Sequence, residues 1–178
     1  MRGGKMKRCP SVVDVARRRF LTGAGYATAG TLAAGLVSGT SNAAPAPARI
    51  EYPSRRLASV RDLKVNEALL VSYPDREAPG VLIKLGTPVA GGIGPESDIV
   101  GFSTLCPHQG VPLMYRAADH TLNCPGHYSR FDCDASGQQI WGHATQNLPQ
   151  YALRIDEAGD IFAEGIDELL YGRLSNVL

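Results

Sequence analysis

Two segments decide the fold of this chain: Thr104-Leu-Cys-Pro-His-Gln-Gly110 and Asn123-Cys-Pro-Gly-His-Tyr-Ser129. Each offers one thiol and one imidazole, as Cys-x-His and then Cys-x-x-His, and 15 residues separate the two pairs. Proline follows both cysteines, and such residues keep the backbone in turns where two side chains can point at one centre. Two loops that each supply one sulfur and one nitrogen are typical of a 2Fe-2S cluster with histidines on one iron.

We therefore predict that Cys106, His108, Cys124 and His127 hold one 2Fe-2S cluster. A zinc site is the alternative, because two sulfurs and two nitrogens also suit Zn²⁺. Common Cys2His2 zinc fingers place both cysteines before both histidines, whereas here the order alternates. The pattern favours iron and sulfide, and a zinc-stabilised exported binding module remains the alternative from another functional class.

Apolar runs on both sides of these segments predict an all-β domain. They lie at 68–72, 81–85, 99–103, 139–141, 151–155 and 160–164, separated by Gly, Pro, Asn and Asp. We expect an antiparallel sandwich or small barrel with a cluster-binding subdomain, whose loops occupy about residues 104–149. Brief helical turns are expected near 58–63 and 166–171, and a hairpin connection at 88–97.

The composition changes near Arg49, which places a leader and short linker at 1–48 and the cluster domain at 49–178. Seven of the 18 basic residues but only one of the 17 acidic residues precede residue 20, which leaves a net charge of about −5 on the rest of the chain. A body without a basic surface excludes nucleic-acid binding as its main role.

The leader has the three parts of an export signal. The basic sequence Arg17-Arg-Arg-Phe-Leu21 precedes an uncharged run to residue 40 and a small-residue stretch at 41–46. Paired arginines before Phe-Leu indicate the twin-arginine route, and hence a periplasmic location. A retained membrane anchor is the alternative, because about 20 residues can span a bilayer. Five glycines in this run disfavour it, so membrane contact is expected only if the leader stays uncleaved.

Four other side chains are assigned supporting roles. Cys133 follows Phe131-Asp132 in a turn and is expected to be a free, partly buried thiol. His120 is expected in a solvated turn, His143 in a structural role near the cluster, and Trp141 as a core anchor. No Ser/His/Asp triad, phosphate loop or carboxylate pair stands out, so no catalytic residue is assigned.

The two cluster segments resemble those of the Rieske family, and residues 106–151 carry the likeness. The resemblance implies that the cysteines bind the inner iron and the histidines the outer iron, so that electrons leave by His108 and His127. It also implies two tuning positions. The hydroxyl of Ser129 should donate to a bridging sulfide, whereas Phe131 stands where high-potential members have a tyrosine that donates to a cysteine sulfur.

Two departures from the family pattern bear on function. The stretch Gly142-His-Ala-Thr145 resembles the loop that covers the cluster, without that loop's usual prolines. Val111 and Gly126 occupy the positions of two further cysteines, which pair as a disulfide in respiratory members. The missing pair weighs against a quinol-oxidising subunit of a cytochrome bc complex, which remains an alternative.

Within the family, the chain most resembles the small subunit of arsenite oxidase. The leader, Cys-Pro-His-Gln-Gly, Gly-Gln-Gln-Ile-Trp-Gly-His-Ala and the ending at 161–173 carry this likeness. It implies a heterodimer in which a large molybdopterin subunit oxidises arsenite, and this chain passes the electrons to a soluble cytochrome c or cupredoxin. The chain itself is not expected to catalyse the reaction.

Overall fold

The computed structural model describes residues 51–177. Within that range the chain forms one short 3-10 turn, Val60–Asp62, and ten strands: β1 Arg55–Ser59, β2 Ala68–Ser72, β3 Pro79–Lys84, β4 Ile99–Ser103, β5 Met114–Arg116, β6 Thr121–Asn123, β7 Arg130–Asp132, β8 Gln138–Trp141, β9 Tyr151–Ile155 and β10 Asp160–Ile166. The predicted leader at 1–48 lies outside the described residues. No helix in 51–177 has the length and apolarity needed to cross a membrane.

The strands form three antiparallel sheets. Their orders are β1-β10-β9, β2-β3-β4 and β5-β6-β7-β8. A bridge between Phe102 and Gln150 joins β4 to β9, so the two three-stranded sheets make one base. The four-stranded sheet lies between β4 and β9 in the chain and forms the subdomain that carries the cluster motifs. The predicted all-β, antiparallel class is confirmed.

Most of the predicted strands are present, and one predicted helical turn is wrong. The runs at 68–72, 99–103 and 151–155 coincide with β2, β4 and β9. The segment 166–171 is not helical, because β10 continues through a bulge until Ile166 pairs with Tyr151. The turn expected at 58–63 is the 3-10 turn, where the Ser59 amide donates to the Asp62 carboxylate at 2.8 Å.

The base and the subdomain share one apolar core. Phe102 from β4, Phe131 from β7 and Leu148 are fully buried in it, together with Cys106 and Cys124. Burying a large apolar side chain stabilises the fold by roughly 1.5–3 kcal/mol. The two cysteines are therefore held in place by packing between sheets as well as by their own loops.

Candidate cluster-binding site

Three loops meet at one end of the subdomain. Loop 1 (residues 104–110) follows β4, loop 2 (residues 123–129) connects β6 to β7, and loop 3 (residues 142–145) follows β8. Loops 1 and 2 contain the two predicted ligand pairs, and loop 3 is the segment that resembles the covering loop. Strand pairing in the β5–β8 sheet thus brings distant parts of the sequence together.

Loops 1 and 2 share one hydrogen-bond pattern. The cysteine carbonyl accepts from the amide four residues later, at 2.7 Å for Cys106 and 3.1 Å for Cys124. The cysteine amide donates to the carbonyl five residues later, at 3.0 Å and 2.8 Å respectively. Each loop is therefore a closed turn that presents its cysteine inward and its histidine toward the loop tip.

The sulfur side of the site is buried. Cys106 and Cys124 are 1% and 3% exposed, and their thiols are adjacent. Burial raises the pKa of the Cys106 thiol, and the neighbouring Cys124 raises it further. Backbone N–H groups of His108 and Gln109 point at the Cys106 sulfur and lower its pKa. The same donors suit a sulfur that carries negative charge as an iron ligand.

The nitrogen side of the site is less buried, since His127 is exposed and His108 is half-buried. The rings of His108 and His127 lie 4.8 Å apart between centroids and are inclined by 73°. His143 of loop 3 stacks on His108 at 5.9 Å and lies 6.0 Å from His127. His143 thus lies beside both predicted histidine ligands, near the cluster as expected, and its structural role stays a prediction.

The donor set fits a two-iron cluster. In residues 51–177 no three His, Cys, Asp or Glu side chains are gathered for one shared ion. The four donors divide instead into a buried pair of thiols and a less buried pair of imidazoles, of which His108 is half-buried and His127 is exposed. This division is what a 2Fe-2S cluster with sulfur ligands on one iron and nitrogen ligands on the other requires.

Ser129 fastens loop 3 to loop 2. Its buried hydroxyl oxygen accepts from the amides of His143 at 3.1 Å and Ala144 at 3.0 Å. Gly142 has φ +94°, and a Cβ there would lie 2.4 Å from the Ser129 Cα, so only glycine allows this approach. Two hydrogen bonds and a glycine contact therefore hold this loop without the usual prolines.

The positions of the family's loop disulfide face each other here. A Cβ built on Gly126 would lie 3.7 Å from the Val111 Cβ and 3.6 Å from the Cys124 sulfur. Disulfide-bonded cysteines have Cβ atoms roughly 3.5–4.5 Å apart. The backbone thus has the required geometry, while valine and glycine occupy the positions.

Three of the supporting assignments need revision. Cys133 is a free thiol as predicted, but it is fully buried, and burial raises its pKa to about 12. His120 is not simply solvated, because its Nδ1 lies 2.9 Å from the Asp134 carboxylate and its side chain is 19% exposed. The core role predicted for Trp141 is wrong: it ends the edge strand β8 and is 67% exposed.

Comparison with known proteins places this site in a family. The model of the Rieske [2Fe-2S] domain matches residues 57–152. The iodate reductase subunit IdrB of Denitromonas iodatirespirans is 38% identical over 165 residues, covering 91% of this chain and 86% of the relative. The cytochrome bc1 complex Rieske iron-sulfur subunit of Corynebacterium efficiens is 36% identical over 69 residues, or 38% of this chain and 17% of the relative.

A solved structure agrees on the fold. The soluble domain of the Rieske protein II (soxF) from Sulfolobus acidocaldarius superposes with a TM-score of 0.61 at 22% identity, over 68% of this chain and 82% of that one. At that identity the likeness concerns the architecture alone.

Proposed function

The chain belongs to the Rieske [2Fe-2S] family, and from that premise we propose that Cys106, His108, Cys124 and His127 ligate its cluster. The observation that carries the assignment is the division of donors into a buried thiol pair and a less buried pair of adjacent imidazoles, 4.8 Å apart between ring centroids. The cluster supplies a centre that takes up and releases one electron at a time. A zinc-stabilised binding module does not fit a family defined by this cluster.

The residues of the chain set how that electron is held. The buried cysteines and the N–H groups of His108 and Gln109 place donors beside sulfur, which stabilises the extra negative charge of the reduced state. The imidazoles of His108 and His127 lie at the solvent-facing edge, so they are the short route for an electron to a partner. In our proposal Ser129 also tunes the centre, through its hydroxyl.

We further propose that the chain is the electron-transfer subunit of an exported oxyanion oxidoreductase with a large molybdopterin subunit. The names of the relatives that share most of its length support iodate reduction. The leader and the loop motifs support arsenite oxidation, with a soluble cytochrome c or cupredoxin as electron acceptor. In the first case electrons run from the cluster to the large subunit, and in the second they run from the large subunit to the cluster.

The bc-complex alternative receives less support. Its relatives match only 38% of this chain, and Val111 and Gly126 stand where a loop disulfide would be. The match with the relative from Corynebacterium efficiens extends over only 69 residues.

Purification of the native complex decides among these substrates. The tagged chain should bring down a molybdenum-containing subunit, and the complex is then assayed for arsenite oxidation with cytochrome c and for iodate reduction with a reduced dye. Activity with one of the two assigns the substrate, whereas a complex without molybdenum contradicts the proposal. The chain alone should keep its cluster and turn over neither compound.

Export has its own test. If the arginine pair is read by the twin-arginine receptor, Arg17→Lys with Arg18→Lys should leave folded precursor in the cytoplasm, although the charge is unchanged. Fractionation followed by immunoblotting measures this, and undiminished periplasmic protein would refute the proposed route.

A further inference from the structure

The outer face of the β5–β8 sheet carries a groove of about 870 Å³, and of the four proposed cluster ligands Cys124 alone lines it. Met114, Asn123, Arg130 and Trp141 form a row along it, because they are paired neighbours in successive strands. Tyr128, which belongs to loop 2, also lines the groove. Met114, Tyr128 and Trp141 are 61%, 74% and 67% exposed, so three large apolar side chains project from one small surface.

The floor of the groove is held by a polar network. Arg130 donates to Asn123 at 3.1 Å and to Asp119 at 2.7 Å, and Asn123 donates to Thr121 at 2.9 Å. Arg116 lies 3.7 Å from the same Asp119 and its side chain is 67% exposed. Asp119 is thus shared between two guanidinium groups. Most N–H donors of Arg116 face solvent and can meet a carboxylate.

The side chains of the groove are those of a protein interface. Trp, Tyr, Met and Arg are enriched at the buried centre of interfaces, whereas Lys and Glu are depleted, and neither Lys nor Glu lines this groove. The groove runs openly across a sheet face, whereas sites for small molecules enclose most of the ligand surface. A partner protein that inserts apolar side chains matches it better.

The location of the groove indicates which partner. Cys124 lines it, and Tyr128 and Trp141 also line a depression of about 450 Å³ with His127 and His143. A protein seated in the groove therefore reaches both the sulfur side and the histidine side of the cluster. Transient electron-transfer encounters use small interfaces, whereas permanent subunits use larger and more apolar ones. The exposed apolar side chains of the groove therefore match a permanent subunit better than a transient carrier.

We propose that this groove is the docking surface for the large catalytic subunit, a proposal that rests on the function inferred above. An apolar side chain of that subunit fits between Met114 and Trp141, and a carboxylate of that subunit faces Arg116. The contact fixes the distance between the two redox centres. Docking by permanent contact on the sheet face also explains why Trp141 is exposed in the single chain.

The test uses the native complex and four variants. Hydroxyl-radical footprinting compares the free chain with the complex at Met114, Tyr128 and Trp141, with the fully exposed Leu174 as internal control. The affinity of the large subunit is then measured for Trp141→Ala and Arg116→Glu. Leu174→Ala and Arg76→Glu are the matched controls, since both residues are exposed and lie outside the groove. The visible spectrum reports whether each variant keeps its cluster.

Protection of the three groove side chains is expected, with Leu174 unchanged. Trp141→Ala should weaken binding by about 30-fold or more, as for a central interface tryptophan, and Arg116→Glu by about tenfold. Wild-type affinity in both groove variants, with intact clusters, overturns the proposal. Slower transfer to soluble cytochrome c at unchanged subunit affinity also overturns it, because the groove then serves the carrier. Failure of the wild-type chain to bind any molybdenum subunit refutes the proposed function itself, and the docking site with it.

Discussion

Replacing Ser129 by alanine separates the two roles that the structure and the family resemblance give to one hydroxyl. The oxygen accepts two backbone N–H groups of loop 3, at 3.1 and 3.0 Å. Within residues 51–177 the hydroxyl proton has no protein acceptor, so it can donate to a sulfide of the cluster. Ser129→Ala therefore removes two loop contacts and one proposed cluster contact together.

The expected magnitudes follow from these contacts. A buried N–H that loses its acceptor costs about 1–3 kcal/mol, so the loss of the acceptor for two amides should lower the unfolding free energy of the variant by about 2–6 kcal/mol. A donor beside sulfur stabilises the more negative, reduced cluster, so its removal lowers the midpoint potential. For a one-electron couple 59 mV corresponds to about 1.4 kcal/mol. A hydrogen bond to a charged group is worth roughly 1.5–3 kcal/mol. If about 1.4 kcal/mol of this hydrogen-bond energy is gained only in the reduced state, the midpoint potential of Ser129→Ala should decrease by an amount on the order of 60 mV.

Protein-film voltammetry measures the potential, and urea unfolding measures the stability. Ser136→Ala is the matched control, because that exposed hydroxyl donates only to the Ala90 carbonyl at 3.3 Å. Phe131→Tyr should shift the potential upward by a similar amount if its hydroxyl reaches a cysteine sulfur. A Ser129→Ala protein with lower stability, an intact cluster and an unchanged midpoint would refute the redox role and leave only the loop contact.

Three further outcomes are expected. Val111→Cys with Gly126→Cys should form a disulfide, seen as no added free thiol, and raise the unfolding free energy by about 3 kcal/mol for a loop of this length; persistent thiols in the oxidised protein would contradict the facing geometry. The guanidinium of Arg173, which donates to the Asp75 carboxylate at 2.8 Å, lowers the pKa of that carboxyl to about 2. The ion pair of Asp75 with Arg173 stabilises the fold above the unfolded pKa of about 3.9, and this stabilisation is lost as pH falls toward 2. Arg173→Ala should therefore raise the pH at which the protein unfolds in acid. An unchanged acid midpoint would refute the pairing. Cys133, whose buried thiol has a pKa of about 12, should resist alkylation in the folded protein, and Cys133→Ala should keep the cluster spectrum; rapid labelling or a lost spectrum would contradict its assignment as an inert thiol.

The sequence predicted the base of the fold better than its subdomain. The strands at 68–72, 99–103 and 151–155 are apolar runs bounded by turn residues, and the structure begins and ends β2, β4 and β9 at those residues. Strands β5, β6 and β7 have three residues each, too few for a period to emerge. They form because the sheet pairs Leu122 with both Tyr115 and Phe131, a tertiary effect that no local window contains.

Residue type and spacing alone indicate the two ligand pairs, and ligation by these four residues stays a prediction. The surroundings could not be predicted in this way, because they depend on where strands pair. Trp141 was expected to be a core anchor. The register of β8 against β7 instead places it opposite Arg130 on the outer face of the sheet. The stacking of His143 on His108 likewise depends on the approach of Gly142 to Ser129 across two loops.

We propose that Cys106 and Cys124 bind one iron of the cluster and that His108 and His127 bind the other. Pulsed electron paramagnetic resonance on the reduced protein, combined with iron and sulfide analysis, measures this ligation. We expect two irons and two acid-labile sulfides per chain, with two coupled histidine nitrogens. One of the two nitrogen signals should disappear in His108→Cys if a cluster still assembles, whereas His143→Ala should retain both. A protein with zinc in place of iron, or a cluster without nitrogen coupling, would refute the proposed ligation.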